Sequence, residues 1–223
     1  MIKKILNFKF VIRNCNRGMT YVELIVVLSI FSIISGVTLF NYKQFQLKVD
    51  IKNLAHDMTL KIVEAQKSAI SGKLAPISQP PSNPLTWKPS YGVYFNINAS
   101  PTTFYRFIDL DYTIPPQNKQ FDFPVTGCPP ATEECLEKID ITKGNYISNS
   151  LTKVFYKDLT GPTNEIVNNL HITFTRPNSG ATFKSTSPVL TRPIDHVEIT
   201  VSSSDGGLTS VISVYPSGRI ELN

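Results

Sequence analysis

A run of nineteen residues without a charge is the feature that most constrains how this chain can fold. The run extends from Leu24 to Tyr42 and reads LIVVLSIFSIISGVTLFNY. As an α-helix rising ~1.5 Å per residue it would span roughly 28 Å, close to the ~30 Å hydrocarbon thickness of a membrane. The sequence therefore predicts one membrane-spanning helix near the N-terminus.

The charge pattern around this run predicts its orientation. The preceding segment holds no acid and five bases, namely Lys3, Lys4, Lys9, Arg13 and Arg17. The positive-inside rule then places the N-terminus in the cytoplasm and residues 43–223 outside it. Because the net charge of +5 arises in this basic head, the neutral remainder predicts no broad surface for nucleic acid.

The junction between the basic head and the apolar run has two unusual features, Gly18 and Glu23. Thr20 and Glu23 match a capping box, in which two side chains satisfy backbone N–H groups at a helix start. Capping does not account for the glycine, nor for a carboxylate at membrane depth, which costs ~2–3 kcal/mol or more. We therefore expect a cationic partner for Glu23, and a free α-amino group made by cutting after Gly18 is the best candidate.

The segment Gly18-Met19-Thr20-Tyr21-Val22-Glu23-Leu24, followed by an uncharged helix, resembles the class III signal of type IV pilins and pseudopilins. The resemblance implies cleavage between Gly18 and Met19 by a prepilin peptidase and methylation of the new N-terminus of Met19. It also implies a pairing role for Glu23 during assembly with other pilin subunits. The family most often has Phe where this chain has Met19. Major pilins often carry a helix-kinking proline where this chain has only Gly36, which favours a minor subunit or pseudopilin.

Beyond the apolar run the spacing of apolar residues stays helical. Steps of three and four connect Ile51, Leu54, Ala55, Met58, Ile62, Ala65 and Ala69, which predicts one face of an amphipathic helix. Gly72 and Pro76 form a stop signal. Residues 21–71 are thus predicted to form one helix of roughly 75 Å. Asp57 and Lys61 are four residues apart on its surface and could pair weakly.

The rest of the chain predicts β-structure. Residues 76–130 hold eleven of the sixteen prolines and are read as loops interrupted by two strands, 91–96 and 103–108. Shorter candidate strands are 138–142, 152–156 and 170–175, and the tail predicts a meander of 196–202, 209–215 and 219–222. The expected fold class is α+β, with a long N-terminal helix packed on a mostly antiparallel sheet.

These pieces resemble the H-type minor pseudopilins of type II secretion and the related FimT-like minor pilins. The matching features are Tyr-Gly-Val-x-Phe at 91–95, a strand leading into Asp109-x-Asp111, Thr173-Phe174 with Ser179-Gly180, and a terminal Gly218-Arg-Ile strand. The resemblance implies a leader peptide at 1–18, a membrane and fibre-core helix at 19–45 and an extracytoplasmic pilin-like domain at 46–223. It also implies residence in the inner membrane, and in a pilus or pseudopilus after assembly.

Two cysteines outside the basic head suggest a disulfide. Cys128 and Cys135 close the loop Cys-Pro-Pro-Ala-Thr-Glu-Glu-Cys, and removal of the leader would take away the odd thiol of Cys15. An even pair in a proline-rich stretch indicates a bridge in an oxidising compartment. Two free thiols or half a zinc site are the alternatives, although a zinc site usually has a second pair nearby.

No residue pattern predicts an active site or a cofactor. His56, His171 and His196 lack neighbours at metal-binding spacing, and no nucleophile elbow, Walker loop or Rossmann fingerprint occurs. The acids Asp109, Asp111 and Asp122 could hold calcium, but such residues are more often solvated. Lys184, Arg192 and Arg219 could likewise form a local phosphate patch or a solvated surface.

The expected function is structural: a minor pilin or pseudopilin subunit that serves protein secretion or pilus biogenesis. One alternative is a DNA-binding minor pilin for DNA uptake, which salt-dependent retardation of short DNA would reveal. A second alternative is an enzyme held by a single-pass anchor, in which the leader would stay attached.

Overall fold

A computed structural model describes residues 18–73, 89–110, 118–122, 128, 134–158 and 161–223, apart from the side chains of Phe40 and Asn41. The basic head at 1–17 lies outside the described residues. Contacts divide the chain into two compact units, Met1–Gln44 and Phe45–Asn223.

One long helix, α1, extends over Tyr21–Ile70 and confirms the helix predicted from the apolar spacing. Its interior contains no proline, so the backbone hydrogen bonds continue without a break. Gly72 ends the helix with a positive φ of 64°. The Gly72 N–H bonds to the Ala69 carbonyl and the Lys73 N–H to the Ser68 carbonyl, each at 3.1 Å, which is a glycine C-cap.

The second half of α1 buries the face that the periodicity predicts. Six of the seven residues of this face are buried, namely Ile51, Ala55, Met58, Ile62, Ala65 and Ala69, and the seventh, Leu54, is partly buried. They join one hydrophobic core with residues of both sheets, among them Phe95, Ile172, Val197 and Ile212. Burial of this stripe supplies the driving force that holds the helix in the second unit.

Within the residues that the structure describes, eleven strands form two antiparallel sheets. In chain order they are β1 (Ser90–Asn96), β2 (Thr103–Asp109), β3 (Cys135–Asp140), β4 (Tyr146–Ile147), β5 (Lys153–Tyr156), β6 (Asn164–Ile166), β7 (Asn169–Thr175), β8 (Ala181–Lys184), β9 (Ile194–Ser202), β10 (Thr209–Val214) and β11 (Ile220–Leu222). The first sheet has the order β3-β2-β1-β7-β8 and the second has β11-β10-β9-β5-β6, with β4 on β9. The expected α+β class with antiparallel pairing is confirmed, and so is the C-terminal meander of β9, β10 and β11.

The first sheet carries a second, smaller hydrophobic cluster. The aromatic cluster, as we call it, consists of Tyr94, Tyr105, Phe107, Phe121 and Cys135, with Cys128 packed against it. Side chains alternate along a strand, so β2 sends Phe104 and Ile108 into the main core and Phe107 into the aromatic cluster. A side chain at Gly92 would come within 2.7 Å of the Phe107 ring, so the residue must be glycine for this ring to pack.

Three short strands and one ion pair differ from the prediction. Strands β4, β6 and β8 have two to four residues each, too few to show an alternating pattern. The suggested pairing of Lys61 with Asp57 is not formed: the Lys61 ammonium lies 2.9 Å from Glu137 on β3 and 3.5 Å from Glu64 instead. Arg106 lies 3.1 Å from the same carboxylate, so two cations neutralise Glu137, whose pKa is lowered despite its burial.

Candidate functional site

The proposed processing segment lies at the exposed start of α1. Gly18, Met19 and Thr20 precede the first helical residue and are exposed. The Thr20 hydroxyl accepts a hydrogen bond of 3.2 Å from the backbone N–H of Glu23, which is one half of a capping box. The peptide bond between Gly18 and Met19 therefore lies outside the helical hydrogen bonds.

The carboxylate of Glu23 is exposed and makes no hydrogen bond or ion pair with any residue that the structure describes. The reciprocal half of the capping box, from Glu23 back to the Thr20 N–H, is therefore not formed there. The bond from Thr20 fixes the backbone at the helix start and leaves the carboxylate available to another group.

The first half of α1 is apolar on all sides and exposed. Its exposed apolar side chains include Leu24, Ile25, Val26, Val27, Leu28, Ile30, Phe31, Ile33, Ile34, Val37 and Leu39. The hydroxyls of Ser29 and Ser32 each donate a hydrogen bond of 2.8 Å to the carbonyl four residues earlier, so the helix satisfies its own polar groups. In length and composition the helix is able to cross a membrane.

The two cysteines of the predicted bridge lie together. Their Cα atoms are 5.7 Å apart and their sulfur atoms are within bonding distance. Cys135 is buried at the start of β3, beside Phe107 of β2 in the strand register. The bridge therefore joins Cys128 to the aromatic cluster.

Three buried acceptors hold the segment 118–122 against the first sheet. His171 Nδ1 accepts a hydrogen bond of 2.9 Å from the Phe121 N–H, and Asp109 accepts one of 3.0 Å from the Lys119 N–H. The two oxygens of Glu134 accept from the Asp122 N–H at 2.7 Å and from the Leu110 N–H at 3.0 Å. The ring of Phe121 also lies 5.3–5.4 Å from three aromatic rings of the cluster.

Burial shifts the pKa values of two of these acceptors in opposite directions. It lowers the pKa of His171 to about 4, which keeps the imidazole neutral and able to accept the Phe121 hydrogen bond. It raises the pKa of Glu134 to about 8, against the opposing effect of the two backbone N–H groups. The sequence offered no signal for either role, because both depend on contacts of the segment 118–122 with residues that are distant along the chain.

The other candidate sites from the sequence are only partly brought together. Asp111 lies outside the described residues, and the carboxylate of Asp109 accepts a hydrogen bond from the Lys119 N–H. Within the described part of the chain no three His, Cys, Asp or Glu side chains converge as metal ligands.

Two of the three basic residues of the possible phosphate patch are already paired. Arg192 lies 2.5 Å from Asp158 and stacks over the Tyr156 ring, while Arg219 lies 3.4 Å from Glu221. A phosphate would have to compete with these carboxylates. His196 is likewise engaged, stacking on Phe155 with ring centroids 4.4 Å apart.

Breaking the bridge should loosen the loop without unfolding the sheets. We expect Cys135→Ser to raise protease sensitivity around residues 113–137, a segment that extends beyond the described residues, while α1 and the terminal meander stay folded. A short loop limits the entropic stabilisation to ~2–3 kcal/mol. Limited proteolysis with mass spectrometry checks this, and thiol counting on denatured, unreduced protein should find no free thiol in the mature chain.

The matched control is Cys128→Ser, at a partly buried position. Both variants break the same bond and should be cut at the same rate. Cutting of Cys135→Ser alone would assign the effect to a buried serine hydroxyl, and two free thiols in native protein would contradict the bridge.

Taken together, the described N-terminal residues offer an exposed peptide bond, an available carboxylate and a fully apolar helix surface. This arrangement suits association with lipid or with other helices, because exposed apolar area of this extent is stable only when it is covered. Comparison with family models, with curated proteins and with solved structures finds no match to this chain.

Proposed function

We propose that the chain is a minor pilin or pseudopilin subunit, processed by a prepilin peptidase and assembled through its N-terminal helix. The observation that carries the proposal is the first half of α1, where exposed apolar residues follow an available carboxylate at Glu23. Such a helix is stable in lipid, and after leaving the bilayer it is stable only against other helices of the same kind.

The mechanism is a transfer of the helix between two apolar surroundings. The subunit first lies in the inner membrane, with its domain of strands outside the cytoplasm. Cleavage after Gly18 then creates a positively charged amine at Met19. The Glu23 carboxylate of an incoming subunit pairs with such an amine on a neighbour, because an isolated carboxylate in an apolar medium is costly. The apolar helices pack together as the subunit leaves the bilayer.

Two features of the second unit suit a subunit of this kind. The amphipathic half of α1 packs in a large hydrophobic core with both sheets. A force applied to the helix during assembly would therefore also act on the strands. A bridge between Cys128 and Cys135 is chemically compatible with an oxidising compartment outside the cytoplasm.

Processing is the direct test. In membranes with an active prepilin peptidase, mass spectrometry should find Met19 at the N-terminus, N-methylated, and no residue of the 1–18 leader. Gly18→Ala should reduce cleavage little or partly, whereas Gly18→Leu should block it, since a bulky side chain keeps the scissile bond from the peptidase. An intact Met1 N-terminus in wild-type protein would overturn the proposal, and so would normal cleavage of Gly18→Leu.

A further inference from the structure

A shallow groove of about 350 Å³ lies along β8, the last strand in the order of the first sheet. All four residues of β8 line this groove, and the rest of its lining includes residues 190–192 and Ile194 at the start of β9. Within the part of the chain that the structure describes, β7 is the only strand that pairs with β8. The groove therefore runs beside an open sheet edge.

The backbone of β8 presents hydrogen-bonding groups to this groove. The Ala181 N–H donates to the Pro216 carbonyl at 3.0 Å, so the backbone of Ala181 faces away from β7. Backbone direction alternates along an antiparallel pair, and the N–H and carbonyl of Phe183 therefore face away from β7 as well. Because the Phe183 side chain packs in the main core, its backbone is the part that lines the groove.

One residue already takes the place of a strand beside β8. The Pro216 carbonyl accepts from Ala181 as a neighbouring strand would. Two residues further along, no described residue outside the ladder with β7 bonds to the N–H or the carbonyl of Phe183. Unpaired backbone groups at a sheet edge are a template for a further strand. The position opposite Phe183 is therefore the vacant one.

The core side of the groove is apolar. Ala181, Leu190 and Ile194 are partly buried and pack against the main core. Residues directly opposite each other in an antiparallel pair turn their side chains to the same face. A residue opposite Phe183 would thus turn its side chain toward these three, which favours an apolar residue there.

The other side of the groove carries an unmatched cation. Side chains alternate along a strand, so Lys184 lies on the face opposite to Phe183. Lys184 is exposed and forms no ion pair with any described residue, whereas Arg192 is paired with Asp158. An acid next to the apolar residue of an added strand would complement this charge.

We propose that the groove binds an extended segment of a partner polypeptide, which adds to the first sheet as an antiparallel strand beside β8. The residue opposite Phe183 exchanges two backbone hydrogen bonds with it and turns an apolar side chain toward Leu190 and Ile194. The residues before and after it turn their side chains to the opposite face, where an acid pairs with Lys184.

The test uses the full chain in detergent micelles, with phenylalanine labelled by ¹⁵N. The probe is Ac-Glu-Val-Glu-NH₂, whose valine lies opposite Phe183 in the proposed register. It should shift the Phe183 amide signal saturably and slow the exchange of that proton, with a dissociation constant of ~1 mM, as expected for two backbone hydrogen bonds and one exposed ion pair.

Two methylated peptides distinguish strand addition from contacts of the side chains. An N-methyl group on the valine removes the N–H that donates to the Phe183 carbonyl, and it should weaken binding at least about tenfold. An N-methyl group on the second glutamate, whose N–H faces away from β8, should change binding less than about twofold. Equal binding of the two methylated peptides would overturn the proposal.

A matched pair of variants tests the acid. Lys184→Gln should weaken binding of the unmethylated peptide about two- to fivefold, as expected for an exposed ion pair. Lys52→Gln changes an exposed lysine on α1, outside the groove, and should leave binding unchanged. Equal effects of the two variants would overturn the pairing with Lys184. No saturable shift at Phe183 would show that the edge is closed to strands, and a shift with protein concentration alone would assign it to a second copy of this chain; either result would overturn the proposal.

Discussion

Replacing Glu23 with Val should leave the chain in the membrane but lower its incorporation into fibres about tenfold or more. The variant exchanges a costly acid for an apolar residue, so insertion of α1 should be unchanged or improved. The lost pairing between the carboxylate and the Met19 amine is a charge-assisted contact in an apolar medium, and ~1.4 kcal/mol already changes an equilibrium tenfold. Quantitative immunoblots of membrane and sheared-fibre fractions measure both quantities.

Thr20→Val is the matched control for this experiment. It removes the hydroxyl that caps the Glu23 N–H while keeping the size of the side chain and the carboxylate. Incorporation of Thr20→Val should stay near the wild-type level, because one N-cap contributes only ~1 kcal/mol to a helix of 50 residues. Equal losses in both variants would assign Glu23 to helix capping, and normal incorporation of Glu23→Val would remove its role in assembly.

The parts of the fold that follow from local patterns could be predicted from the sequence. The steps of three and four from Ile51 to Ala69 gave the buried face of α1. Gly72 predicted where α1 ends, because few residues other than glycine accept a positive φ at a helix C-cap. Alternating residues with tight turns between them gave the meander of β9, β10 and β11.

The features that depend on contacts between distant segments could not be predicted. The division into two sheets is set by long-range pairings such as β1 with β7, which no local pattern encodes. Lys61 has acids three, four and seventy-six residues away, and spacing alone favoured the wrong one. Glu137 is preferred because its partly buried carboxylate needs cations and Lys61 and Arg106 both reach it.

The same limit applies to the candidate site. Gly18, Met19 and Glu23 lie within one short segment, so the sequence alone indicated a common role. The acceptors at Glu134 and His171 find their donors only after the segment 118–122 packs against the first sheet. Their residue types carry no pattern that reveals this.

Two buried groups that accept hydrogen bonds from the segment 118–122, His171 and Glu134, should make the stability of the chain depend on pH. His171 has a folded-state pKa of about 4, below its ordinary value of 6.5, so its contribution is present above pH 6.5 and is lost as pH falls toward 4. Glu134 has a folded-state pKa of about 8, above its ordinary value of 4.5. Its contribution is full below pH 4.5 and is lost as pH rises to about 8. The two effects oppose each other between pH 4.5 and 6.5, and above that range only the effect of Glu134 remains.

Raising the pH from 6.5 to 8 should therefore lower the free energy of unfolding by about 2 kcal/mol through Glu134 alone. For a chain of this size that corresponds to a fall in Tm of roughly 4–8 °C, which circular dichroism of the full chain in micelles can follow.

In Glu134→Gln this fall should largely disappear, because the amide does not titrate. The variant should nevertheless be less stable than wild type at pH 6.5, since the glutamine NH₂ must face the backbone N–H of either Leu110 or Asp122, both of which donate to Glu134. The difference between the two pH profiles isolates Glu134 from every other titrating group. A fall of the same size in the variant would show that Glu134 is already charged at pH 6.5, held by its two backbone donors.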